Sequence, residues 1–187
     1  MTILYLHGFA SAVKTQNKKY DELAKISPVS PFAPDYCQGF AAVMHSCLEF
    51  VQSLPQVSAV VGTSMGGYTA SHLAECVGVP FVAINPPLSP SQSLQKYLGI
   101  HQSYDGSEYN LGIEQVHSYP DYNPSAAGLI VVSQFDELVA PQPTQAFAKQ
   151  HGLPIISCAY GDHRFEDISA LIPAFQQHIQ TVTQSAR

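Results

Sequence analysis

The chain has 187 residues, of which 45% are apolar and 12% charged, a composition that suits one globular domain needing no metal or disulfide staples. Eight basic and fourteen acidic side chains give a formal net charge of −6, and no basic stripe is available to neutralise a phosphate backbone, which argues against nucleic-acid binding. Lys14, Lys18 and Lys19 are the densest basic cluster and read as a solvated helix face.

Cys37, Cys47, Cys76 and Cys158 are scattered, with no C-x-x-C pair and no zinc spacing. The opening "MTILYLHGFA" has no basic n-region and too little apolar length for export or for a membrane span. Reduced thiols in a cytoplasmic protein, with no metal, no cofactor and no membrane partner, are expected. Oligomeric state is not legible.

In chain order, "TILYL" (2–6) reads as a strand, "KTQNKKYDELAKI" (14–26) as a helix, and "VSPFAP" (29–34) as a short edge strand that tolerates its prolines. Apolar residues at helical spacing mark 40–54, and "VSAVV" (57–61) is a buried strand followed by a helix over 65–77. "PFVAIN" (80–85) and "GLIVVSQ" (128–134) are further strands, with 143–152 a helix, "PIISCAY" (154–160) the last strand and 168–184 a closing helix. Strands that are β-branched on both faces and separated by helices predict a parallel sheet covered on both sides, a three-layer α/β/α sandwich. Residues 87–127 follow no clean period and read as a small cap-like insert in a single domain spanning 1–187.

Ligand sites in such sheets lie beyond the carboxyl ends of the strands. Three segments there carry suitable side chains. Gly62-Thr63-Ser64-Met65-Gly66 is G-x-S-x-G at a strand-to-helix junction, the context of a nucleophile elbow, although a serine-capped helix start would look similar. Gly62 and Gly66 are needed there because a side chain at either would strike neighbouring backbone. Asp136 follows the strand 128–134, and His163 follows the strand 154–160.

The order Ser64, Asp136, His163 is that of an α/β-hydrolase triad. His163 would take the proton of the weakly acidic serine, and Asp136 would hold the imidazole's tautomer and steady its charge. Glu137 is a rival acid; the shorter Asp136 stands nearer the strand end. Asp162, next to His163, is expected to cap its own loop, and "DHRFED" shows no metal-binding spacing. Backbone N–H groups of Met65 and Phe9 are the candidate oxyanion donors, with Gly8 letting the chain turn inward and His7 structural.

"LYLHGFASA", "VGTSMGGYTA", "VAINPPL", "YLG", "YDGSEY" and "GDHRFED" together resemble the small bacterial YqiA-like esterases, a compact branch of the α/β-hydrolase superfamily. The resemblance runs nearly end to end. It implies a serine hydrolase of carboxylic or thioesters, with Ser64, Asp136 and His163 as the triad and Phe9 and Met65 as oxyanion donors. It also implies six parallel strands in the order 2-1-3-4-5-6, without the first two strands of larger relatives. Met65 stands where leucine is common, which leaves the backbone donor untouched.

Asn85, Tyr97 and Leu98 are candidate substrate-binding residues, and Leu88, Leu94, Ile100, Tyr104 and Tyr109 could add an apolar roof or pack as ordinary core. A short insert suggests a shallow pocket and modest acyl groups. No basic pocket for a phosphorylated carrier is evident, which favours simple esters over thioesters of acyl carriers. The competing class is a hydrolase-shaped binding protein without turnover.

Overall fold

The structure, a computed structural model, describes residues 1–124 and 127–185. Positions 125 and 126 of the expected insert lie outside the described residues. The main sheet is built from β1 (Thr2–Leu6), β2 (Val29–Phe32), β3 (Val57–Thr63), β4 (Phe81–Ile84), β7 (Gly128–Ser133) and β8 (Ile155–Cys158). Between β4 and β7 come the strands β5 (Gly99–Gln102) and β6 (Glu108–Leu111). The helices are α1 (Lys18–Leu23), α2 (Phe40–Gln52), α3 (Met65–Val77), α4 (Pro90–Ser93), α5 (Ile113–His117), α6 (Pro141–Gln150) and α7 (Ile172–Ser185).

The sheet order is β2-β1-β3-β4-β7-β8, and every pairing in it is parallel. Leaving out the β5–β6 hairpin, this is the 2-1-3-4-5-6 order that the resemblance implies. Alternate residues of each strand feed opposite faces. Leu4, Leu6 and Val60 join the core under α2, α3 and α6, whereas Ile3, Tyr5, Val61 and Val131 meet α1 and α7 on the other side. The three-layer sandwich therefore follows from strands that are apolar on both faces. β2 takes the edge, where Pro31 is tolerated.

Two expectations are corrected. The helix predicted over 14–26 is shorter: Asn17 caps α1 by accepting from the Lys19 N–H, which starts the helix at Lys18. The insert, predicted without regular elements, contains two short helices, a turn at Gln95–Tyr97 and an antiparallel hairpin. All four residues of β5 are exposed, so no apolar alternation marked it in the sequence. The insert is pinned by tyrosines: the Tyr68 hydroxyl donates to Pro120 O (2.9 Å) and the Tyr119 hydroxyl to Tyr36 O (2.7 Å).

Candidate active site

β3 ends at Thr63 and α3 begins at Met65, so Ser64 alone must reverse the chain. It does so at φ 58° and ψ −127°, a conformation that strains a residue with a side chain by about 1–3 kcal/mol. Backbone bonds hold it there: the Ser64 N–H donates to Ile84 O (2.8 Å), and Ser64 O accepts from the Tyr68 N–H (3.0 Å). The flanking glycines are required by close approach. A methyl group on Gly62 would lie 2.1 Å from Gly66 O, and one on Gly66 would lie 2.1 Å from Leu6 O of β1. Neither backbone can retreat, because both belong to the packed centre of the sandwich.

His163 and Asp136 arrive on the loops that follow β8 and β7. The His163 Nδ1 lies 2.8 and 2.9 Å from the two Asp136 carboxylate oxygens. A carboxylate can only accept, so Nδ1 carries the proton and the neutral ring keeps Nε2 as its basic nitrogen. Asp136 is itself fixed: its Oδ1 accepts from the N–H groups of Leu138 and Val139, each at 2.8 Å. Its side chain is almost wholly buried, at 1% exposure, against 11% for the imidazole.

Glu137, the rival acid, touches the His163 backbone, accepting its N–H at 3.0 Å. Asp162 accepts from the Phe165 N–H at 3.0 Å and so braces its own loop. Ser64 and His163 line the same cavity. Among the described residues, the Ser64 hydroxyl makes no hydrogen bond to the imidazole. Such bonds are often long in unliganded sites.

Met65 N–H is the first of α3 and has no acceptor within the helix. The β1–α1 loop passes beside it. A methyl group on Gly8 would lie 3.1 Å from Thr63 O and 3.2 Å from Ser64 Cβ, so Gly8 is small because of crowding. The positive φ in this loop falls at Ala10 (54°), and the Ser11 N–H closes the turn on Gly8 O (3.3 Å). Phe9 and Met65 both line the cavity.

The cavity has a volume of about 530 Å³, within the range of small-molecule sites. Of the three candidate substrate-binding residues, only Tyr97 lines it. Its ring centroid is 5.3 Å from that of Phe9. Leu98 packs against the core beneath α2 and α3, and the assignment to substrate is corrected accordingly. Leu94, Tyr104 and Tyr109 join the lining, whereas Leu88 packs on the core and Ile100 is exposed.

Asn85 is also corrected, and its real position is informative. It is 1% exposed and faces away from the cavity. Its Nδ2 donates to Asp162 O (3.2 Å) and His163 O (3.1 Å), while its Oδ1 accepts from the Ser133 N–H (2.8 Å). One buried amide thereby joins the ends of β4 and β7 to the loop of His163. Its φ of 49° suits asparagine, which tolerates the left-handed region better than most residues. The sequence signal was there in an asparagine closing a buried strand, but its partners lie 48 and 77–78 residues further on.

Lys19 was also misread, because α1 does not turn all its lysines to solvent. The ammonium is buried and donates to the Tyr5 hydroxyl (3.2 Å), Thr63 Oγ1 (3.3 Å) and Arg164 O (2.5 Å). Burial pulls its pKa down to about 8, opposed by the nearby Glu166 and Asp162. His7, buried beside it, donates or accepts with Ser11 Oγ at 3.1 Å and the Tyr20 hydroxyl. Burial first, then the Lys19 and Lys14 charges, depress His7 to about 4.

A UPF0227 protein from Serratia proteamaculans is 25% identical over 172 residues, covering 89% of this chain and 92% of its own. Among solved structures, Est1E from Butyrivibrio proteoclasticus superposes with a TM-score of 0.69 at 16% identity, over 98% of this chain and 88% of that one. The alpha/beta hydrolase domain-containing protein 10 from mouse gives 0.67 at 15% identity, over 100% and 90%. The fold is that of the α/β-hydrolases. The model of the uncharacterised protein family UPF0227 matches residues 2–180, and the chain belongs to that family.

Proposed function

We propose that this protein is a serine esterase that cleaves carboxylic esters of small or medium acyl groups through an acyl-Ser64 intermediate. The observation that carries the reading is the Asp136–His163 pair, closed at 2.8 Å on the cavity that also exposes a strained Ser64. In this reading His163 Nε2 removes the Ser64 proton as Oγ attacks the ester carbonyl. The developing oxyanion is met by the Met65 and Phe9 N–H groups, and loss of one such donor in comparable sites costs on the order of 10²–10³ in rate. The imidazolium, steadied by Asp136, returns the proton to the departing alcohol. Water, activated by the same nitrogen, then releases the acid and restores Ser64.

A fluorophosphonate probe followed by intact mass tests the proposal. One adduct is expected on the protein and none on Ser64→Ala. An unlabelled native protein, or an equally labelled Ser64→Ala, removes the nucleophile from the scheme. Turnover of a chain-length panel of chromogenic esters then reads the acyl preference.

A further inference from the structure

Charge is sorted in this molecule. The chain carries eight lysines and arginines against fourteen carboxylates. Among the described residues, five of the chain's eight cations (Lys14, Lys18, Lys19, Lys96 and Arg164) line the Ser64 cavity, with Glu166 as the one carboxylate on its wall. The neighbouring hollow that shares Phe9 and Tyr109 with this cavity is lined, among the described residues, by Asp35, Asp105 and Glu108 and by no lysine or arginine. An acidic protein has gathered most of its positive charge at one cleft.

The cations come from three separate elements: α1 with the loop before it, the turn after α4, and the His163 loop. Among the described residues none of the five has a carboxylate oxygen within 4.0 Å, whereas Lys25 is paired with Glu22 at 2.7 Å. Lys19 is spent on three neutral acceptors, so it contributes field rather than contact. Lys14, Lys18 and Lys96 are exposed at the rim and keep their donors for a ligand. Arg164 stacks on the Tyr104 ring at 4.6 Å, which leaves the edge of its guanidinium available. A cleft lined by one sign of charge concentrates ligands of the other.

We infer that the substrate is an anionic ester, bearing a carboxylate or phosphate held by Lys14, Lys18, Lys96 and Arg164 while its ester carbonyl lies at Ser64. The inference rests on the esterase reading and adds the substrate's charge to it.

The test compares a chromogenic monoester of a dicarboxylic acid with its neutral methyl-ester analogue, and a phosphate-bearing ester with its uncharged counterpart. At low ionic strength kcat/KM is expected to favour at least one anion about tenfold or more, with the advantage fading as salt screens the cleft. The pair with the larger ratio identifies the anion. In the Lys14→Gln/Lys18→Gln/Lys96→Gln variant the same ratio should fall several-fold. Ratios at or below one for both pairs, or a ratio untouched by the triple substitution, overturn the inference while leaving the esterase reading intact. Should Ser64 prove unreactive, calorimetric binding of the same monoester to the protein still decides the question of charge. Affinity that weakens with salt and with the triple substitution supports an anion site, and its absence overturns it.

Discussion

The six-stranded sheet and the segment between β4 and β7 share a core but differ in backbone strain. In the sheet, β1, β4 and β7 are buried along their whole length, and their order is the cooperative product of two apolar cores. The insert adds Leu94, Leu111, Val116, Tyr119 and Tyr122 to one of those cores and is tied to the frame by further hydrogen bonds: two from tyrosine hydroxyls and one from the Tyr104 N–H to Ala10 O (3.0 Å). Each such bond is worth about 1 kcal/mol net. Among the described residues, all four non-glycine residues with positive φ (Ala10, Ser64, Asn85 and Phe165) follow sheet strands, and none lies in the insert. Strain is thus stored where a rigid frame can hold it, at the candidate chemistry, and the wall facing the ligand is built without it.

The sharpest way to break this contrast is at the rim. Asp136→Asn keeps the shape of the side chain but reverses its demand on His163 Nδ1, and should lower kcat by about 10⁴-fold with the fold retained by circular dichroism. Glu137→Ala releases only the backbone N–H of His163 and should cost about tenfold or less. Equal damage from the two would show that the acid has been assigned to the wrong carboxylate.

Asn85→Ala should come next. It strips three hydrogen bonds from a buried position, with an expected loss of about 1–3 kcal/mol of stability in chemical denaturation. Because the His163 loop loses its tether, kcat should fall about 10–100-fold at nearly constant KM. A fall confined to stability would make Asn85 a fold residue with no part in positioning the imidazole.

On the insert side, Tyr97→Ala removes an aromatic wall from the cavity without touching Ser64, Asp136 or His163. Its effect should be a few-fold, appear mainly in KM, and vary with acyl length in the ester panel. A large drop in kcat for every ester would mean that the insert participates in the chemistry and that the division drawn between the two regions is wrong.

These contrasts also explain what could be read beforehand. The strands, the tight turn at Ser64 and the strand-end positions of Asp136 and His163 were legible because each depends on residues adjacent in sequence: a β-branched run, a glycine pair, a loop after a strand; the strand order came from the family resemblance. The hairpin was not, since β5 is exposed along its length and its pairing with β6 is set by the turn at Ser103–Ser107, where Asp105 accepts from the Ser107 N–H at 3.0 Å. Asn85 was given to the substrate because a polar residue at a strand end usually faces the cleft; here the strained φ turns it the other way, beneath the His163 loop. The basic lining was missed for a similar reason. Lys14 and Lys18 lie about eighty and a hundred and fifty residues from Lys96 and Arg164, so their common cavity exists only in three dimensions.

The smallest effect concerns His7, which links the two regions through the β1–α1 loop. Its pKa in the folded chain is about 4 against an ordinary 6.5, owing to burial and to the Lys19 and Lys14 charges. Between those values the unfolded chain binds a proton that the folded chain refuses, so stability is full above pH 6.5 and declines as pH falls toward 4. The loss should be on the order of 1–3 kcal/mol, read as a lower denaturant midpoint at pH 4 than at pH 7. His7→Gln removes the titrating group while keeping a polar partner for Ser11 and Tyr20, and should flatten that slope with little change at neutral pH. An unchanged slope in the variant would remove His7 as the source of the acid sensitivity and leave it as a neutral strut under the loop that carries Phe9.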